Sequence, residues 1–251
     1  MRRFRLWYLP LFAALLAVVA FGYGFVAYLR GDRGSPVNDL PAAQSPAAAP
    51  SVISPVILGD SLARGAGDER GLGISGRLDA ELTRRAIASR RTYNIAVNGA
   101  RTPDLLRQLQ SANVQQVLRE ANVIIVSIGG NDLWGGTDWR SAAPGDAEAN
   151  MTAVLVRIEE VVKLIRALNP RGRIFFIGLY NPFVSTPEGA QLSSLVNRWN
   201  ARLTEAFGND ANVTVVQTAD LFSHHDRLSA DRFHPGGEGY QLIAERIAES
   251  L

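Results

Sequence analysis

Pro55-Val56-Ile57-Leu58-Gly59-Asp60-Ser61-Leu62 is an apolar run that stops abruptly at a glycine and two small polar residues. A short continuous apolar run bounded by a turn signal reads as a strand buried on both faces. The same form recurs downstream, in Tyr93–Val97, Val123–Ile128, Arg173–Leu179 and Val213–Gln217. Longer segments with helical periodicity lie between these runs: Ile74–Ser89, Thr102–Leu118, Ala147–Leu168, Leu192–Phe207 and Gly237–Leu251. Asn169-Pro170 and Gly208-Asn209 mark two of the helix ends. Strand–helix alternation of this kind predicts an α/β domain of three layers around a five-stranded parallel sheet. Ligands of such sheets bind beyond the carboxyl ends of the strands.

The chain has 251 residues, 47% hydrophobic and 20% charged, enough for one domain of ordinary size with an appendage. A net charge of +2 without a long basic run gives no reason to expect a nucleic-acid partner. The absence of cysteine excludes disulfides, thiolate metal sites and a cysteine nucleophile.

No charged residue stands between Leu6 and Leu29, with Arg2, Arg3 and Arg5 before the run and Arg30 and Arg33 after it. That length suits a bilayer core of roughly 30 Å. The expectation is a single-pass membrane anchor over residues 1–30, with an extracytoplasmic domain; cleavage near Val18-Val19-Ala20 and secretion is the rival reading. Residues 31–53, rich in Pro, Ala, Gly and Ser, read as a flexible linker, and 54–251 as the folded domain.

Small polar residues gather where the strands end: Gly59-Asp60-Ser61-Leu62, Asn98-Gly99-Ala100, Gly129-Gly130-Asn131-Asp132 and, after the fifth strand, Asp231-Arg232-Phe233-His234-Pro235. A serine hydroxyl becomes a competent nucleophile when a general base takes its proton. His234 is the natural base for Ser61, and Asp231, three residues earlier, is within reach to fix its tautomer. Acyl transfer also needs donors for the developing oxyanion, available from the backbone N–H groups of Ser61 and Gly99 and the side-chain amide of Asn131.

In type, order and spacing the four segments resemble the signature blocks of the SGNH/GDSL hydrolase family, over the whole domain from Ser54 onward. The resemblance implies a flavodoxin-like fold and a serine ester hydrolase working through an acyl-enzyme. Ser61 would be the nucleophile, His234 the base, Asp231 its acidic partner, and Ser61, Gly99 and Asn131 the oxyanion donors. It implies no metal or organic cofactor. The partner is an ester substrate that is a small molecule, a lipid or a glycan, since the motifs encode the reaction and leave the alcohol open. Acyl or acetyl transfer, O-acetylesterase action on envelope glycan, and a non-catalytic glycan-binding domain are the alternatives. Asp60, Asp132 and Trp134 are candidates for lining the substrate, and Trp139 sits in the same Gly-rich stretch.

Other features carry less. Gly71-Leu72-Gly73-Ile74-Ser75-Gly76 matches a dinucleotide-binding fingerprint, but it does not directly follow its strand and no carboxylate ends the next one. His224-His225-Asp226 reads as a solvated loop rather than a metal site, and Asp220 and Asp226 are weaker rivals to Asp231.

Overall fold

A computed structural model describes residues 5–29, 52–134 and 144–251. The first segment is one helix, α1 (Arg5–Leu29). Among the described residues no helix is long and apolar enough to cross a membrane. This corrects the anchor, the membrane partnership and the single-pass localisation expected from the sequence. The Pro/Ala-rich stretch lies almost wholly outside the described residues. Ile53, at its expected end, already belongs to the domain, because it is buried and its N–H donates to Ala88 O at 2.8 Å.

The domain is built on five parallel strands, β1 (Pro55–Gly59), β2 (Tyr93–Asn94), β3 (Val123–Ser127), β4 (Arg173–Ile177) and β5 (Val213–Val216), in the order β2-β1-β3-β4-β5. This is the doubly wound, flavodoxin-like order. All five expected strands form. The second is regular only at Tyr93–Asn94, although Ile95 and Val97 still donate to Ile57 O and Gly59 O at 2.9 Å. It is an edge strand with Tyr93 and Val97 exposed, so little packing enforces a regular ladder there.

Alternation along the strands divides the core in two. Ile57, Ile125, Phe175 and Ile177 face one way, toward Leu78 and Leu82 of α3 (Gly73–Arg84) and Ile243 and Ile247 of α9 (Gly237–Glu249). Leu58, Ile124, Val126 and Phe176 face α4 (Thr102–Gln108), α5 (Ala112–Glu120), α7 (Pro144–Leu168) and α8 (Gly189–Phe207) on the other side. Two short helices, α2 (Ser61–Arg64) and α6 (Gly130–Trp134), leave the ends of β1 and β3.

Several helix boundaries differ from expectation. α3 stops at Arg84 because the chain must turn, with Ala86 at φ 56°, to lay Ser89 beside Ile53. The predicted Thr102–Leu118 helix is two, since Ser111 is extended and starts α5 afresh. α7 begins at Pro144, three residues early, with proline at a helix start where its missing N–H costs nothing.

The end of β1 has one tight constraint. Gly59 has φ 128°, and a Cβ there would stand 1.8 Å from Ser127 O. Gly59→Ala should therefore cost about 3 kcal/mol or more. A thermal melt of the purified variant tests this; a melting temperature within a few degrees of the parent would refute it.

Candidate active site

Ser61 opens α2 directly after β1. Asp60 is the N-cap: it is extended, and its Oδ1 accepts from Leu62 N at 3.1 Å. The same oxygen accepts from Ser127 Oγ at 3.2 Å, and Asp60 N donates to Ser127 O at 2.9 Å. The turn carrying Ser61 is thus tied to the end of the neighbouring strand. Burial pushes the Asp60 carboxyl up to about 6, against the pull of the N–H groups of Ala63 and Leu62 and the Ser127 hydroxyl.

His234 arrives from the other end of the chain. Its Nε2 lies 2.9 Å from Ser61 Oγ and its Nδ1 lies 2.7 Å from Asp231 Oδ2. Asp231 Oδ1 accepts from Ser229 Oγ at 2.7 Å and from the N–H groups of Phe233 and His234 at 2.8 and 2.9 Å. Partial burial pushes the Asp231 carboxyl up, but the bond from His234 and these three others outweigh it and hold it well below the usual carboxylate range. A carboxylate so placed fixes the imidazole with Nδ1 protonated and Nε2 free to accept from the serine.

Asn98–Ala100 and Asn131 meet nearby, with Asn131 Nδ2 donating to Ala100 O at 3.0 Å. Gly99 has φ 75°, and a Cβ there would meet no protein atom within 4 Å. The glycine therefore answers to backbone conformation, while the space above it stays open. Ser61, Asn131, Leu179, Tyr180, Phe233 and His234 all line one pocket, with Asp60 at its buried side.

Of the expected relay and donor residues, Ser61, Asn131 and His234 line this pocket, Asp231 reaches it through its bond to His234, and Gly99 is not among the lining residues; the candidates for lining it also divide. Asp60 reaches it. Asp132 does not line it: it is buried, with its carboxylate held by Thr102. The backbone of Trp134 ends α6, while its side chain and Trp139 lie outside what is described. Asp220 is committed elsewhere, to Arg246 at 2.6 and 2.8 Å. Asp226 and His224 are exposed, and the His225 side chain is not described. In the Gly71–Gly76 stretch, Gly73 N donates to Asp68 Oδ2 at 2.8 Å, and the same carboxylate pairs with Arg77.

Several residues that hold the site had no motif to mark them. Tyr180 Oη donates to Phe233 O at 2.7 Å, Tyr240 Oη donates to Ala66 O at 2.6 Å, and Gly237 N donates to Glu69 Oε2 at 2.9 Å. Gly67 lies so close under His234 that a Cβ there would stand 2.7 Å from His234 Cβ. Its positive φ of 90° is the one trait a sequence reader has any prospect of suspecting, in a loop with Gly65 and Gly71.

A serine, histidine and carboxylate in relay at the carboxyl edge of a parallel sheet define a serine-hydrolase site. Residues 57–242 match the model of the GDSL-like lipase/acylhydrolase family, and the chain belongs to that family. It is a hydrolase of ester bonds that works through an acyl-enzyme. Among its relatives, the YpmR protein of Bacillus subtilis strain 168 is 31% identical over 202 residues, 77% of this chain and 79% of the relative. The spore germination lipase LipC of Bacillus licheniformis is 26% identical over 163 residues, 61% of this chain and 74% of that one. Two solved structures share the fold. The lipase Lip_vut3 from a goat rumen metagenome has a TM-score of 0.67 at 21% identity, covering 79% of this chain and 97% of that one. A family 3 carbohydrate esterase of Clostridium thermocellum has a TM-score of 0.57 at 17% identity, covering 79% and 94%.

The raised carboxyl of Asp60 gives a pH prediction. Between its ordinary 3.8 and about 6 the folded state keeps a proton that the unfolded state releases. Stability contributed by the neutral form is therefore lost as pH rises through that window. Asp60→Asn should gain on the parent between pH 4 and pH 7 by up to about 3 kcal/mol. Urea denaturation of both proteins at the two pH values measures it, and a pH-independent difference would contradict it.

Proposed function

We propose that Ser61 is the nucleophile of a carboxylic ester hydrolase, with His234 as its general base and acid and Asp231 as the partner that orients His234. The observation that carries this reading is the unbroken relay from Ser61 Oγ to His234 Nε2 at 2.9 Å and from Nδ1 to Asp231 at 2.7 Å. Oγ attacks the ester carbonyl carbon as its proton passes to Nε2, and the carbonyl π pair moves onto oxygen. That oxyanion is met by the N–H groups of Ser61 and Gly99 and by the Asn131 amide. An amide nitrogen carries two hydrogens, so the bond to Ala100 O sets its plane and keeps one donor for the oxyanion. Collapse expels the alcohol, which takes the proton from Nε2. Water then repeats the sequence on the acyl-enzyme, releasing the acid and restoring Ser61.

The pairing of Asp231 with the imidazole supports this division of roles, because a carboxylate at Nδ1 stabilises the imidazolium formed in both steps. Ser61→Ala and His234→Ala should each lower kcat on p-nitrophenyl acetate by about 10^4-fold or more with the fold intact by circular dichroism. A fluorophosphonate should label the parent on Ser61 alone. Near-normal turnover by Ser61→Ala would refute the assignment.

A further inference from the structure

Asp132, next in the chain to Asn131, is buried, with its side chain 5% exposed. Its Oδ2 accepts from Thr102 N at 2.9 Å and its Oδ1 from Thr102 Oγ1 at 2.7 Å. Arg157, from α7, donates through Nε to Thr102 Oγ1 at 2.7 Å, and its Nη2 lies 3.4 Å from Asp132 Oδ1. The directions of these bonds are forced. A guanidinium nitrogen only donates, so the Thr102 oxygen accepts from it, and the one hydroxyl proton must go to Asp132. Each oxygen of the carboxylate therefore accepts from Thr102, and each of the three residues has a defined task.

Two consequences follow for the chemistry. Thr102 begins α4, three residues after Gly99, so its pair of bonds to Asp132 sets the spacing between the Gly99 turn and the Asn131 turn. These two turns come from different strand ends and are otherwise joined by the bond from Asn131 to Ala100. The carboxylate is also a buried negative charge one residue from a group meant to stabilise a negative charge. Unopposed, it would disfavour the oxyanion, and Arg157 is the cation that offsets it.

We propose that Asp132, Thr102 and Arg157 are positioning residues of the oxyanion hole, Asp132 and Thr102 by fixing its width and Arg157 by cancelling the charge of Asp132. The proposal rests on Gly99 and Asn131 being the oxyanion donors. None of the three residues lines the pocket that holds Ser61, so the effect belongs on kcat.

The test is steady-state hydrolysis of p-nitrophenyl acetate, with active sites counted by fluorophosphonate titration so that misfolded protein does not enter kcat. Arg157→Gln should lower kcat about 30-fold and leave KM within about twofold. Asp132→Asn, which removes the charge and one acceptor, should lower it about fivefold. The double variant Asp132→Asn/Arg157→Gln should resemble Asp132→Asn alone, since the arginine has nothing left to cancel. Thr102→Val should lose about 30-fold in kcat, and Thr102→Ser should restore it to within about twofold. If Thr102→Val fails to fold, the Asp132 and Arg157 variants decide the matter alone. A parental kcat in Arg157→Gln, or a double variant as slow as the product of the single losses, would overturn the proposal. So would losses confined to KM. Those results would leave Ser61 labelling intact in the parent, whereas failure of that labelling would sink the functional assignment and this proposal with it.

Discussion

The structure depends on the closeness of the ends of β1 and β3. Gly59 passes over the Ser127 carbonyl with no room for a side chain, and Asp60 N bonds that same carbonyl at 2.9 Å. Five register pairs, Pro55 with Val123 through Gly59 with Ser127, bring the two strands to one line. The strand order reverses here, β2 being reached to one side of β1 and β3 to the other, which opens a crevice above their carboxyl ends. Ser61 and Asn131 rise on opposite sides of it, each in the first turn of a short helix. A shift of one residue in the β1–β3 register would send the buried side chains to the wrong faces and separate Ser61 from Asn131.

The histidine is held differently, because no strand carries it. Its loop is pinned by groups that arrive from far away in sequence. The Tyr180 hydroxyl grips the carbonyl of Phe233 from the end of β4, and Gly67 packs against the backbone side of His234. Glu69 takes the N–H of Gly237, and Tyr240 holds the Ala66 carbonyl in the loop that follows the nucleophile helix. The Asp68–Arg77 pair stiffens that loop from behind. One surface loop thus touches both His234 and the segment leading from Ser61, so the distance between the two is set by the same few contacts at both ends.

The motif residues and the strand–helix order were legible because each has a local signature: a buried parallel strand is an apolar run, and a catalytic turn is a break in it. Tyr180 and Gly67 were not legible, because a tyrosine or glycine near a strand end or in a loop is ordinary until its distant partner is known. Asp132 was misread for the same reason. Beside Asn131 it looked like a pocket residue, yet its partners are 30 residues back and 25 ahead, in α4 and α7. The membrane anchor expected from the uncharged run is overturned by the described residues, none of whose helices is long and apolar enough to cross a membrane.

Three carboxylates stand within a residue or a hydrogen bond of the reacting groups, and their surroundings assign them unlike tasks. Asp231 is half exposed and rich in donors, which keeps it anionic to serve the imidazole. Asp60 is buried beside the nucleophile, and burial raises its carboxyl toward the neutral form. Asp132 sits beside Asn131 on the far side, where the Arg157 cation faces it. Of the three, the carboxylate that accepts the most hydrogen bonds is the one paired with His234. At the turns of Ser61 and Asn131 the other two are buried, with Asp60 raised by that burial and Asp132 faced by Arg157.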